Sequence, residues 1–241
     1  MRQVPHKIED RLIVALDVPT LSAAREMVAK LDGIVSFFKI GLWLQFASGV
    51  DALVDELLKK GHKVFLDSKM YDIGETVKQG VAHAASRHVT LITVHGDADI
   101  IKAAVEGRGS SDLKIFTITA LTSLDDEGLR ELGYLVPIDR LIELRVRNTV
   151  ECGADGIIAS AMDNPDRIRA LAGAQNLLVA TPGIRFSGAA LDDHKRSGTP
   201  AQAIRDGADY LVVGRPIIRD PDPARQALAI IVDMRRGQIG D

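Results

Sequence analysis

"FLDSKMYDI", residues 65–73, begins as a buried strand and then sets Asp67, Lys69 and Asp72 within six positions. Burying a charge is costly unless it is paired, and even paired ions seldom repay the cost in full. A strand that ends in three ionisable groups therefore needs a reason for them. Side chains alternate along a strand, so Asp67 and Lys69 share one face while Val64 and Leu66 take the other. The second face suits packing under helices. The charges gather at the C-terminal end alone.

Seven other runs read the same way, at 12–18 ("LIVALDV"), 37–42 ("FFKIGL"), 91–96 ("LITVHG"), 114–121 ("KIFTITAL"), 156–160 ("GIIAS"), 177–184 ("LLVATPGI") and 210–217 ("YLVVGRPI"); the run around Asp67 covers 63–70. Between them lie segments of helical spacing such as "SAAREMVAKL" and "VDALVDELLKKG", the latter stopped by Gly61. Strict strand–helix alternation implies parallel strands joined by crossover helices. Eight such units in 241 residues match a single (β/α)₈ TIM barrel domain spanning 1–241. A doubly wound sheet is the alternative, since periodicity does not reveal closure. Long connections at 122–138 and 185–200 are expected to be functional.

The composition, 46% hydrophobic and 26% charged, is that of a soluble globular protein. A net charge of −3 provides no global field for nucleic acid or an acidic membrane. No apolar run approaches 18 residues without a charge, and "MRQVPHKIED" lacks the apolar centre of a signal peptide. A cytoplasmic location is the expectation. The one cysteine, Cys152, excludes an intramolecular disulfide and a cysteine-based zinc site, and is expected to be a small buried thiol.

In a barrel the active site lies at the C-terminal ends of the strands. Asp17, Lys39, Asp67, Lys69 and His95 fall at those ends, Thr119 and Thr122 border the fifth, Arg185 follows the seventh and Arg215 ends the eighth. Parity puts Ile13, Ala15 and Asp17 on one face, and Phe37 with Lys39, so the charges of the first three strands can converge. A structural ion-pair network is the competing explanation, and His95 reads best as a hydrogen-bonded structural imidazole. "TPGIR" (181–185) and "VGRP" (213–216) supply Gly183, Gly214, Arg185 and Arg215 after strands seven and eight, the usual place for a phosphate in this fold.

In order, "ALDV", "KIG", "DSKMYD", "TVHG", "LTS", "TPGIR", "DDHKRSGTP" and "VGRPI" resemble the orotidine 5′-phosphate decarboxylase family in its shorter bacterial form, over nearly the whole chain. The D-x-K-x-x-D element alone is shared with other phosphosugar enzymes of the superfamily. The resemblance implies decarboxylation of orotidine 5′-phosphate to UMP, the last step of de novo UMP synthesis, without metal or organic cofactor. It implies that Lys69 donates the proton, with Asp67, Lys39 and Asp72 completing the catalytic array. Asp17 would bind a ribose hydroxyl and Lys39 would bridge ribose and Asp67. Asp72 and Thr76 would reach the site of the neighbouring subunit in a homodimer with shared active sites. Thr122 would meet the pyrimidine edge and Pro182 line the ring pocket. Arg185, Gly214 and Arg215 would hold phosphate under a lid at about 185–200. His194 stands where the family usually has Gln. Two other functions compete: a magnesium-dependent phosphosugar aldolase or decarboxylase, and a catalytically inactive phospho-ligand-binding barrel.

Overall fold

The computed structural model describes residues 2–171, 173–186 and 198–239. Its strands are β1 (Leu12–Ala15), β2 (Phe37–Gly41), β3 (Lys63–Met70), β4 (Leu91–His95), β5 (Lys114–Ile118), β6 (Gly156–Ile158), β7 (Leu178–Thr181) and β8 (Tyr210–Val213). All pair in parallel and in chain order, and β8 pairs with β1, so the sheet closes into a single eight-stranded barrel. The closed barrel expected from the alternation is present, and the open sheet is not.

Helices follow the strands as α1 (Leu21–Lys30), α2 (Leu42–Gln45), α3 (Val50–Lys59), α4 (Gly74–Ser86), α5 (Ala98–Arg108), α6 (Asp126–Glu131), α7 (Ile138–Glu151), α8 (Pro165–Arg169), α9 (Pro200–Arg205), α10 (Arg215–Ile218) and α11 (Pro223–Ile239). Local chemistry sets several starts. Thr20, Asp125 and Thr199 each accept a hydrogen bond from a backbone N–H of the first turn, capping donors that the helix cannot satisfy itself.

Alternation along the strands divides the core. Val14, Phe38, Ile40, Val64, Ile92 and Ile115 face outward and pack under the helices. Ile13, Phe37, Phe65, Leu91, Phe116 and Leu178 fill the barrel. Above that interior layer the same parity brings polar side chains to the C-terminal mouth. Lys39 pairs in register with Ala15 and Phe65, two residues before Gly41, which stands opposite Asp67.

β3 runs to Met70 as expected, but the other strands end earlier at this rim than the apolar runs predict. β1 stops at Ala15, although Leu16 N–H still donates to Lys39 O at 2.9 Å, and Asp17 lies beyond. β5 stops before Thr119. Arg215, expected to end the eighth strand, instead opens α10. There the backbone leaves the ladder to enter its crossover, and Asp17 and Arg215 reach the mouth from beyond their strands.

Candidate active site

β3 does not run regularly to its end. Phe65 and Leu66 pair with Leu91 and Ile92, but Met70 pairs with Val94, so the register shifts between Leu66 and Met70. Lys69 within that bulge has φ of +46°, a left-handed conformation that long side chains rarely adopt. Asp67 and Lys69 nevertheless meet on the inner face, as parity predicted: Lys69 Nζ donates to Asp67 Oδ1 at 2.6 Å.

The other Asp67 oxygen, Oδ2, lies 3.1 Å from Lys39 Nζ, and Lys39 Nζ lies 3.2 Å from Asp17 Oδ1. The result is an alternating chain, Asp17–Lys39–Asp67–Lys69, across three adjacent strands. Its formal charges cancel, which makes the burial of Lys39 and Asp67, 7% and 8% exposed, tolerable. Burial by itself drives the Lys39 ammonium down, but the charges of Asp67 and Asp17 and their hydrogen bonds outweigh it, leaving its pKa above the ordinary lysine value. Burial likewise pushes Asp67 up, and Lys39 and Lys69 more than reverse this, so its carboxylate titrates below the ordinary range. Both therefore remain charged at neutral pH.

This array forms one wall of a cleft of about 270 Å³ at the barrel mouth. Of the expected residues, Asp17, Lys39, Asp67, Lys69, Thr122, Pro182, Arg185, Gly214 and Arg215 line it. Barrel closure puts β8 beside β1, so Gly214 approaches the Asp17 carboxylate and Arg215 lines the same cleft, although both are far from Asp17 in sequence. Arg185 is buried, with Nη1 donating to Ile184 O at 2.7 Å. Gly183 has φ of +77°, which fits a turn that presents backbone to a ligand.

Asp72 and Thr76 behave differently. Both are exposed and neither lines the cleft of their own chain. Asp72 Oδ1 accepts from Ile73 N–H at 2.7 Å. The array within one chain is thus Asp17–Lys39–Asp67–Lys69, without Asp72. His194 and most of the 185–200 lid lie outside the described residues. His95 is off the cleft and packs its ring on Tyr71, centroids 4.8 Å apart. Burial, then Arg145, holds its pKa down. Thr119 is a structural residue whose Oγ1 donates to Ile158 O at 2.9 Å. Cys152, expected to be buried, is only half-buried; its Sγ donates to Ala98 O at 3.6 Å, and burial, ahead of nearby charges, raises its thiol pKa.

Several lining residues were not anticipated. Ile118, Ile158 and Val212 form an apolar side opposite the charges. Strand parity could have found them, since each is inward-facing in the last turn of its strand. Gly41 is needed for another reason: a Cβ there would stand 2.5 Å from Asp17 Oδ1 and 3.3 Å from Lys39 Nζ. Thr93 is fully buried behind Asp67 and donates to its Oδ1 at 3.0 Å. No single stretch of sequence signals that contact. Among the described residues, no group of three His, Cys, Asp or Glu side chains is arranged to hold a metal ion, and no helix is long and apolar enough to cross a membrane.

Residues 10–230 match the family described as "Orotidine 5'-phosphate decarboxylase / HUMPS family". An orotidine 5′-phosphate decarboxylase of Rhodopseudomonas palustris is 47% identical over 227 residues, 94% of this chain and 95% of the relative. One from Nitrobacter winogradskyi is 45% identical, covering 93% and 92% of the two chains. The crystal structure of orotidine 5′-phosphate decarboxylase from Lactobacillus acidophilus superposes with a TM-score of 0.81 at 31% identity, over 93% of this chain and 99% of that one. The chain belongs to the orotidine 5′-phosphate decarboxylase / HUMPS family.

Proposed function

We propose that this member of the family decarboxylates orotidine 5′-phosphate to UMP in pyrimidine biosynthesis, with Lys69 as proton donor. The observation that carries the reading is the alternating Asp17–Lys39–Asp67–Lys69 array in one cleft with Arg185 and Arg215.

Loss of CO₂ from C6 of the orotate ring leaves an electron pair in an sp² orbital that the ring does not delocalise. A fixed cation beside C6 stabilises that charge as it develops and then delivers a proton to it. Lys69 has the right character: an ammonium anchored by Asp67 yet with its side chain 37% exposed toward the cleft. Asp67, pinned by two cations, stays ionised beside the substrate carboxylate and favours its departure. Lys39 and Asp17 offer a donor and an acceptor to ribose hydroxyls. Ile118, Ile158, Val212 and Pro182 provide an apolar bed for the ring, Thr122 a polar contact at its edge. Arg185 and Arg215 with the Gly183 and Gly214 turns hold the phosphate, whose binding energy helps enclose the reaction. The described residues that flank the lid segment meet beside the cleft, where Arg185 N–H donates to Gly198 O at 3.0 Å. We assign that segment the closing role, with His194 as a phosphate or pyrimidine contact.

The active unit in this reading is a cytoplasmic homodimer. Asp72 does not line its own cleft, and Leu42, Trp43, Phe46, Tyr71 and Ile73 form an exposed apolar rim on the segments that follow β2 and β3. Such a rim favours a second copy, which would bring its Asp72 and Thr76 to this site.

A spectrophotometric assay for loss of orotidylate absorbance tests the reading, and turnover that survives EDTA separates it from the magnesium-dependent phosphosugar chemistry. Both oxygens of Asp67 already face ammonium groups, so a metal would have to displace them. No turnover by a folded, dimeric preparation would refute the assignment.

A further inference from the structure

The bulge in β3 poses a problem that the catalytic array does not solve. Lys63 N–H donates to Ser36 O ahead of β2 while Val64 N–H turns to Thr90 ahead of β4, so alternation along a regular strand would aim Lys69 N–H at β2. The register shift between Leu66 and Met70 turns it toward β4 instead and takes it off that ladder. Lys69 is also held at φ of +46°. Left to itself, this backbone would relax and carry the ammonium away from its position.

A single side chain meets both needs. Thr93, in the middle of β4 and fully buried, accepts from Lys69 N–H at 3.0 Å through Oγ1. The same oxygen donates its proton to Asp67 Oδ1 at 3.0 Å. Because Oγ1 accepts from the amide on one side, its own hydrogen is left for the carboxylate on the other. One hydroxyl thus fixes the Lys69 backbone and the Asp67 carboxylate relative to each other. The outer face is held as well: Ser68 Oγ donates to Gln45 Oε1 at 2.8 Å, and Gln45 Nε2 donates to Ile40 O at 2.9 Å. That contact ties the bulge to β2.

We infer that Thr93 is a positioning residue for the reaction, its hydroxyl setting the distance and direction between the Asp67 carboxylate and the Lys69 ammonium. This inference rests on the proposed decarboxylase chemistry for its kinetic consequence and on geometry alone for its structural one. Thr93 does not line the cleft, so its loss leaves the ground-state contacts with ribose and phosphate in place. Displacement of a reacting group by a fraction of an ångström to 1 Å lowers kcat by ~10- to 100-fold.

The test compares Thr93→Ser with Thr93→Ala, which differ only in the hydroxyl, alongside the isosteric Thr93→Val. The Ala and Val proteins are expected to lose ~10- to 100-fold in kcat, with KM within about threefold of wild type, while Ser stays within about threefold in both. Independently of turnover, hydrogen exchange of the Lys69 amide, followed by NMR, should accelerate at least ~10-fold in Thr93→Ala and remain slow in Thr93→Ser. Equal kcat in Ser and Ala, a change confined to KM, or unchanged Lys69 exchange in Ala would each overturn the inference. Absence of orotidylate turnover in the wild type would instead remove the functional reading, and the exchange measurement would still decide the role of Thr93.

Discussion

Replacing Asp67 with Asn keeps the shape of the side chain and removes the one charge that both lysines share. Lys39 is 7% exposed and would lose its 3.1 Å partner while remaining buried. Stripping one member from a buried ion pair costs about 3–5 kcal/mol, because the charge left behind is uncompensated. Asp17, 3.2 Å away, still opposes the ammonium, which favours the lower end, about 3 kcal/mol. Lys69 also loses its partner, but with a side chain 37% exposed it recovers much of that loss from water. For a chain of this size, about 3 kcal/mol corresponds to a fall in Tm of roughly 6–12 °C. The dependence on pH gives an independent signature. In the wild type the Lys39 pKa is raised above the ordinary 10.5, so its stabilising contribution is complete below about pH 10.5 and fades as pH rises through the folded value. In the Asp67→Asn protein burial faces Asp17 alone, and the folded pKa should drop below the ordinary value. Folding then disfavours the ammonium, most strongly at neutral pH, and the penalty is relieved as pH approaches about 10.5. The gap in Tm between the two proteins, measured by circular dichroism, should be widest near pH 7 and narrow toward pH 10. A gap under about 2 °C at pH 7, or one that does not change with pH, would refute the idea that Lys39 depends on Asp67 for its charge.

Lys69→Ala should lower kcat by at least ~10³-fold while UMP still binds, measured by steady-state kinetics and calorimetry; near-normal turnover would remove Lys69 as proton donor. Gly41→Ala should push Asp17 aside, since a Cβ would lie 2.5 Å from its Oδ1, and raise KM by about tenfold with a smaller effect on kcat; an unchanged KM would deny Asp17 a part in binding. Mixing inactive Asp72→Asn and Lys69→Ala chains should recover activity, because a mixed dimer with shared sites has one site free of both lesions. No recovery from mixed dimers shown to form would assign Asp72 to its own subunit.

Much of this protein could be read along the chain because the signals are local. Alternation within "KVFLDSKM" separates the helix-facing Val64 and Leu66 from the mouth-facing Asp67 and Lys69, and strand–helix succession makes the strands parallel. Glycine and arginine after strands seven and eight can be picked out with no knowledge of the sheet, and they line the cleft. Closure itself, which brings Gly214 beside Asp17, depends on the β8–β1 pairing and not on any one segment. So do the finer features of the site. The shift of β3 against β4 is a relation between two strands, and with it come the left-handed Lys69 and the turn of its N–H to the Thr93 hydroxyl. Thr93 lies 24 residues from Lys69, in a run that reads as an ordinary core strand. The requirement for glycine at position 41 likewise arises from the Asp17 carboxylate just past the end of the neighbouring strand. Periodicity decides which way a side chain faces, but which atom it meets depends on how far one strand has slipped past the next.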